Sequence, residues 1–580
     1  PRPAMPRPAP RPVRTWDEDE EVLSEENEIS PRRRGRSGGS KTLFFALLLL
    51  APLVGGGYYF YGQYTAKRNR EVKLNLEKAS AELKHDSYAS YQKACDYASA
   101  ALDLDPSSVA AHGYLAYAWA IRWGEHGGGD EARKQAEEHL AQAKQGHELS
   151  SQLYAAEALI KTYGGRGKEA LAELDARVKQ FEAEGKHSSL LSLTLGLIQM
   201  NAGDLEAAKS SLEKAQSLAP DDPRVYAALG TLYRRLGQDN TAWKNYDFAL
   251  RYERNHPESQ LGKALLMLEQ ENAQYYVGAA KMIQALIEAD PPPSPRQLAT
   301  AKLARAFLVS RISNEVGHYK PEDQKQLLEG AHVPADKKAA EAEIAKAEDE
   351  GFTLDKTNPE LHLIKGRRLF LEGQIDPAVE EIRTAVKMDP TRAQFYVELA
   401  RALMAKKGGE KEAQEALETA IRTMGNSPKL VLMLGQAYQR QGQLDKAIAQ
   451  FELAVGDGKQ KAPEAKLALG AALREKKDYA KAIDLLTKAA QEFVGQDDRI
   501  AAAYTELARA LEEKGDREKA GETYQQALKA DADYAPSYYF FARYLAADKA
   551  NAAKAKIAAQ EYLRREPKGE YSEAAQRLAQ

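Results

Sequence analysis

Ten histidines and a single cysteine are the scarce chemistry-bearing residues of this chain, and their spacing limits the reactions open to it. No HExxH pair occurs; His139 and His147 lack the neighbours that a zinc-binding helix requires. Cys95 stands alone, which excludes an intrachain disulfide framework and every multi-cysteine metal site. It sits beside a packing alanine and reads as structural rather than reactive. No Gly-x-x-x-x-Gly-Lys-Ser/Thr phosphate loop and no Gly-x-Ser-x-Gly nucleophile elbow is present. Adjacent acids such as Glu512 and Glu513 recur with the period of a solvated helix face. The residues therefore point to no catalytic group, no cofactor and no metal, and the chain reads as a non-enzyme.

The elements that hold these residues are helical. A chain of 580 residues is too long for one compact core, so it must form several lobes or a repeat that grows in one dimension. After residue 70, alanine, leucine, lysine, glutamate and glutamine dominate, β-branched residues are sparse, and helical periodicity runs almost unbroken. The 82 basic and 85 acidic residues are interleaved, and the net charge of −3 gives no field that would attract nucleic acid.

The first 41 residues differ in kind. PRPAMPRPAPRPVR cannot form a helix and reads as an extended, solvated arm. The acidic run Asp17 to Glu28 buries too little to offset its ordering entropy, and reads as a disordered linker or a short docking motif. The chain opens on Pro1 rather than methionine, which leaves room for residues upstream. The segment 42–64, TLFFALLLLAPLVGGGYYFYGQY, carries no charge and as a helix would span about 34 Å, enough for a ~30 Å hydrocarbon layer. Tyr58, Tyr59, Phe60, Tyr61 and Tyr64 cluster at one end, as aromatic rings do at a membrane interface. Pro52 and the three glycines from Gly55 to Gly57 argue for a bent or loose helix. The preceding tail and a poor cleavage site at Tyr64-Thr65-Ala66 favour a retained transmembrane helix over a cleaved signal peptide. Basic residues flank both ends equally; Arg2, Arg7, Arg11 and Arg14 place the tail in the cytoplasm and the remainder across the membrane.

From residue 75 a pattern of about 34 residues returns. Leu434, Gly435, Tyr438, Gly442, Ala447, Phe451 and Ala454 are matched by Leu229, Gly230, Tyr233, Gly237, Ala242, Tyr246 and Ala249. The same order recurs at Leu469, Gly470, Leu473, Ala482, Leu486 and Ala489, and at Leu507, Ala508, Leu511, Gly515, Ala520, Tyr524 and Ala527. Two further copies hold Gly196 and Gly203, and Gly366 and Gly373. The small residue lies where a second helix must cross closely, the later glycine ends the first helix, and alanine–large–alanine is one stripe of the second. Pro220 and Pro390 close second helices.

These residues resemble the tetratricopeptide repeat family over most of residues 75 to 567. The resemblance implies an all-α, right-handed solenoid of about thirteen helix-turn-helix units. They would follow a linker or helix start at 65–74, carry insertions near 124–130 and 312–335, and end in a capping helix at 568–580. It also implies a concave binding surface. Two positions beyond the leucine of each first helix, the inner position holds Arg367, Arg401, Gln436, Ala471, Arg509 and Arg543, with Arg234, Arg440 and Arg474 about one turn further along. A row of guanidinium groups there would grip an acidic or carboxylate-bearing protein or peptide. Glu475, Glu512 and Glu513 are the nearby acids that could instead partner them.

On this resemblance the chain is similar to anchored bacterial repeat proteins of the inner membrane, with a cytoplasmic N-terminus and a periplasmic repeat domain. The expected role is a scaffold or assembly factor in envelope assembly, secretion or polymer export. The alternatives are a chaperone-docking or precursor-import receptor, or a non-catalytic adaptor of an enzyme complex. The asparagine that the family's chaperone-tail binders use at the inner position is absent here.

Overall fold

The computed structural model describes residues 41–580 apart from 147–149, 271–272 and 457–460; side chains are described from Tyr61 onward, those of 273, 274 and 318 excepted. The Pro/Arg-rich and acidic tail read as disordered therefore lies outside the described residues. Among the described residues every regular element is a helix and there is no strand. The first helix, Lys41–Lys84, passes through Pro52 and the three glycines without a break. The expected membrane span at 42–64 is the first part of this helix, and its side chains as far as 60 lie outside the described residues. Among the described residues no helix is long and apolar enough to cross a membrane.

The chain divides into two compact units, Pro1–Glu372 and Gly373–Gln580. Both are built of antiparallel helix pairs, and the pair Ser189–Ala202 and Leu205–Leu218 shows why the chain folds this way locally. Ser188 caps the first helix by accepting the Leu191 N–H at 3.3 Å. Gly203 ends it with φ +82°, a left-handed conformation that glycine adopts without a Cβ penalty. The Asp204 N–H then reaches back to the Gln199 carbonyl at 3.0 Å. The Asp204 carboxylate accepts the Ala207 N–H at 3.2 Å and starts the second helix. The pair Pro463–Glu475 and Tyr479–Glu492 lacks the turn glycine, and Lys477 takes the same place at φ +67°. The reversal is thus imposed by packing of the pair, against the residue's own preference.

Packing of each pair turns on one close approach. A Cβ added at Gly435 would stand 2.4 Å from the Phe451 ring, at Gly230 2.5 Å from Tyr246, and at Gly470 and Gly196 2.6 Å from Leu486 and Leu212. Phe451, Tyr246, Leu486 and Leu212 are fully buried, as is Tyr524 against Ala508. Leu205–Leu218 stops before Pro220 and Ile375–Met388 before Pro390. The stretch 321–330 forms an additional helix, Pro321–Gly330, with proline in its first turn. The last helix, Ser572–Ala579, packs on Ala552–Arg565 and Ala535–Ala546.

In unit 2 the first helices of successive pairs lie side by side: Ala393–Ala405, Pro428–Arg440, Pro463–Glu475, Asp497–Lys514 and Ala535–Ala546. Unit 1 stacks its first helices likewise but also returns on itself. His85 Nδ1 lies 2.7 Å from Glu253 Oε2, and Arg296 donates its backbone N–H to the His126 carbonyl at 3.2 Å. Its earliest helices are therefore joined to ones about 170 residues further along the sequence.

The close approach can be measured. Phe451→Ala is expected to lower stability by ~3–5 kcal/mol and Gly435→Ala by ~1–3 kcal/mol. The double variant should lose less than the sum, because the added methyl then meets the space the ring has left. Urea denaturation of the four proteins followed by circular dichroism checks this; strict additivity would show that the two positions do not touch.

Candidate functional site: the arginines of the first helices

The arginines at the expected inner positions all stand on first helices, but the fold treats them unequally. In unit 1, the Arg234 side chain is largely covered and its Nη1 lies 3.3 Å from Glu360 Oε1. Burial alone would disfavour its charge; the surrounding carboxylates of Glu360, Glu269 and Glu258 outweigh that and hold its pKa above the ordinary arginine value. Arg367 Nη1 lies 3.2 Å from Glu269 Oε1, and its guanidinium stands 5.5 Å from the centre of the Phe307 ring. Both side chains are at least four-fifths covered. In this unit the face expected to receive a partner is occupied by the chain's own carboxylates and rings.

Unit 2 holds a connected network. Arg474, 7% exposed, donates from Nε to Glu506 at 3.0 Å and from Nη1 to Glu513 at 2.9 Å, with Glu475 at 3.8 Å from Nη2. Glu506 also accepts from Arg509 at 2.5 Å. The Arg509 guanidinium lies 4.1 Å from the centre of the Phe540 ring, over which Arg543 also stands at 5.4 Å. Arg543 Nη2 reaches Glu512 at 3.4 Å, and Glu512 accepts a hydrogen bond from the Tyr524 hydroxyl at 2.9 Å. Burial and then the Glu512 carboxylate push the Tyr524 phenol well above its usual range, so it stays a donor. For Arg474 burial opposes the charge, and Glu506 and Glu513 more than restore it.

The remaining positions are more open. Arg401 is half exposed and lies 3.2 Å from Glu398. Arg440 is exposed and donates to the Met404 carbonyl at 2.8 Å, while Gln436 is half-buried. Arg543 remains 41% exposed despite its two neighbours. Arg401, Arg440 and Arg543 are thus the most open of the arginines at these positions in unit 2.

The expected row of guanidinium charges is therefore largely neutralised within the protein. Glu475, Glu512 and Glu513 are among the partners found. Glu506 and Glu398 were missed, although each stands three residues before the arginine it meets, a spacing that puts both on one helix face. Glu269 and Glu360 had no local signal, since their partners are 98 and 126 residues away. Among the described residues no group of three or more histidine, cysteine, aspartate or glutamate side chains is placed to hold a metal ion. Cys95 is buried, and burial pushes its thiol up to about 12, consistent with a packing role.

Comparison with known proteins gives short matches. A tetratricopeptide repeat family model matches residues 432–497, and a second tetratricopeptide repeat model matches 192–222 and 501–534. No curated protein matches the chain. Among solved structures it is similar to one titled as the crystal structure of the APC/C hetero-tetramer Cut9-Hcn1, at 16% identity and a TM-score of 0.37, covering 92% of this chain and 98% of that one. It is also similar to a monomeric mutant of IFIT1 with m7Gppp-AAAA, at 18% identity and a TM-score of 0.40, covering 70% and 95% of the two chains.

The inequality among the arginines is testable. Arg474→Ala takes a covered guanidinium away from Glu506, which keeps Arg509, and from the more open Glu513, and should cost ~1.5–3 kcal/mol. Arg401→Ala should change stability by no more than about 0.5 kcal/mol, its pair being open to water. Equal losses in thermal or urea unfolding would contradict the difference in burial.

Proposed function

We propose that this chain, which carries tetratricopeptide repeats in each of its two units, is a membrane-tethered, non-catalytic scaffold that holds a protein or peptide partner on the first-helix face of unit 2. The observation that carries the reading is the unequal cover of these arginines. Arg234 and Arg367 in unit 1 and Arg474 and Arg509 in unit 2 are covered and paired with carboxylates, whereas Arg401, Arg440 and Arg543 keep solvent access on first helices of unit 2. Exposed guanidinium groups backed by a rigid helix suit an extended segment bearing carboxylates, which they can pair with in bidentate fashion. The covered arginines serve the fold and leave partner recognition to the open ones.

The tether is the uncharged segment 42–64, supported by its length, its aromatic end and the helix that continues from it to Lys84. The basic tail before it favours a cytoplasmic N-terminus with the repeats on the other side of a bacterial inner membrane. With that placement, we propose a role in envelope assembly, secretion or polymer export. A labelling enzyme fused after Gln580 and, separately, before Pro1 tests it. The C-terminal fusion should mark envelope proteins and the N-terminal fusion cytoplasmic ones; marking of cytoplasmic proteins by the C-terminal fusion would reverse the orientation.

Partner capture tests the surface. Reversing Arg401, Arg440 and Arg543 to glutamate together should weaken capture of the partner by at least ~100-fold, about 1 kcal/mol or more for each, with helicity unchanged. Capture that survives the triple reversal would remove this face from the reading. Peptides ending in a chaperone-type acidic tail, added as competitors, report whether that class is the ligand.

A further inference from the structure

Where unit 1 returns on itself, one of the contacts is made by a two-residue turn. His85 and Asp86 lie between Lys41–Lys84 and Tyr88–Leu104. Asp86 is held at φ +48°, a left-handed conformation costly for a residue with a Cβ. Its side chain explains what holds it there. The Tyr91 hydroxyl donates to Asp86 Oδ1 at 2.6 Å, and His256 Nε2 faces Oδ2 at 3.3 Å.

His256 caps the helix Pro257–Glu269: its Nδ1 accepts the Ser259 N–H at 3.3 Å, which places the ring proton on Nε2, toward Asp86. His85 bonds Glu253 beside it. A cavity of about 480 Å³ follows the seam, with His85, Ser90 and Lys93 on one wall and Gln260, Leu286 and Pro291 on the other.

Behind this clasp lies a group the fold leaves unserved. His126 is 4% exposed, and neither of its ring nitrogens has a hydrogen-bond partner. Its ring is packed against Tyr88 and Tyr91, with centroids 6.0 and 5.4 Å apart. The charged groups that face it are Asp86 from the turn, Glu125 and Arg122 from its own segment, and Arg296 from Pro295–Glu315. Beyond Tyr91 and Tyr117 lies Arg224, neutralised by Asp222 at 2.6 Å. No group in this enclosure makes a hydrogen bond to either ring nitrogen of His126, and Asp86 and Glu125 only partly offset its burial, so a charged imidazole there is costly until water can reach it.

We propose that the His85–Asp86 clasp is an acid-released latch, held shut while His126 is neutral and opened along the seam when His126 takes a proton. Burial lowers the pKa of His126 from 6.5 to about 4, with Asp86 and Glu125 only partly offsetting it. A histidine with a depressed pKa binds fewer protons closed than open. Its contribution is present at neutral pH and is lost as pH falls from 6.5 toward 4. The Asp86 carboxylate has its pKa held below the ordinary value, because the nearby His256 outweighs the effect of burial, so its share is lost only at still lower pH.

Hydrogen exchange on the full chain, corrected for intrinsic rates, tests the latch. Between pH 7.5 and 5.0 exchange in 88–104 and 257–269 should rise roughly 30-fold, the ratio that closed and open values of about 4 and 6.5 give. Exchange in 428–546 should stay constant. His126→Phe should abolish the rise, since a ring of that shape fits between the tyrosines without a proton to gain. Glu253→Gln should raise exchange at the seam already at pH 7.5 and keep the pH response. No rise in the parent chain would overturn the proposal. So would a rise shared equally by unit 2, or one that survives in His126→Phe; should that variant fail to fold, His126→Gln serves in its place.

Discussion

The close crossing of a large side chain over a small one is the constraint on which the rest of the molecule depends. Phe451 over Gly435 and Tyr246 over Gly230 are the same contact made in different pairs. A helix pair alone buries one stripe and exposes the rest, so it gains stability only by being repeated. The crossing sets how near the two helices of a pair come, and so where the next pair can lie. Lys477 shows the strength of this demand: it sits in a left-handed conformation where other pairs have glycine.

Close stacking of first helices has an electrostatic consequence. Side chains that would be solvated on an isolated helix are brought within reach of those on the next one. The arginines at these positions meet glutamates: Arg474 meets Glu506 and Glu513, and Arg543 meets Glu512. A guanidinium removed from water without such partners would be costly, whereas a paired one is tolerated and fixes the alignment of the helices. Recognition is left to those members of the pattern whose partners are few and whose side chains still reach solvent.

Unit 1 adds a constraint that repetition alone does not produce. Its stack is closed by polar contacts between segments far apart in sequence, and the interior behind them holds tyrosines, an aspartate–arginine pair and a histidine without a partner. A buried, unpartnered histidine in such a place ties stability to solvent access, because it gains a proton more readily when water enters. The apolar crossings are indifferent to pH; this closure is not.

The sequence by itself determined the helical class, the position of the crossings, the helix ends at Gly203, Pro220 and Pro390, and the lack of familiar catalytic motifs. All of these are local: a small residue, a turn residue and a stripe of fixed period are legible within one repeat. It also showed which arginines occupy equivalent positions, and the nearby acids Glu475, Glu512 and Glu513 that could meet them. Only the tertiary structure decided that Arg234 answers Glu360, that Arg367 answers Glu269, and that His85 and Asp86 reach Glu253 and His256. Those pairings depend on how many small rotations accumulate from one repeat to the next, a sum over many packed interfaces that no single window of residues encodes.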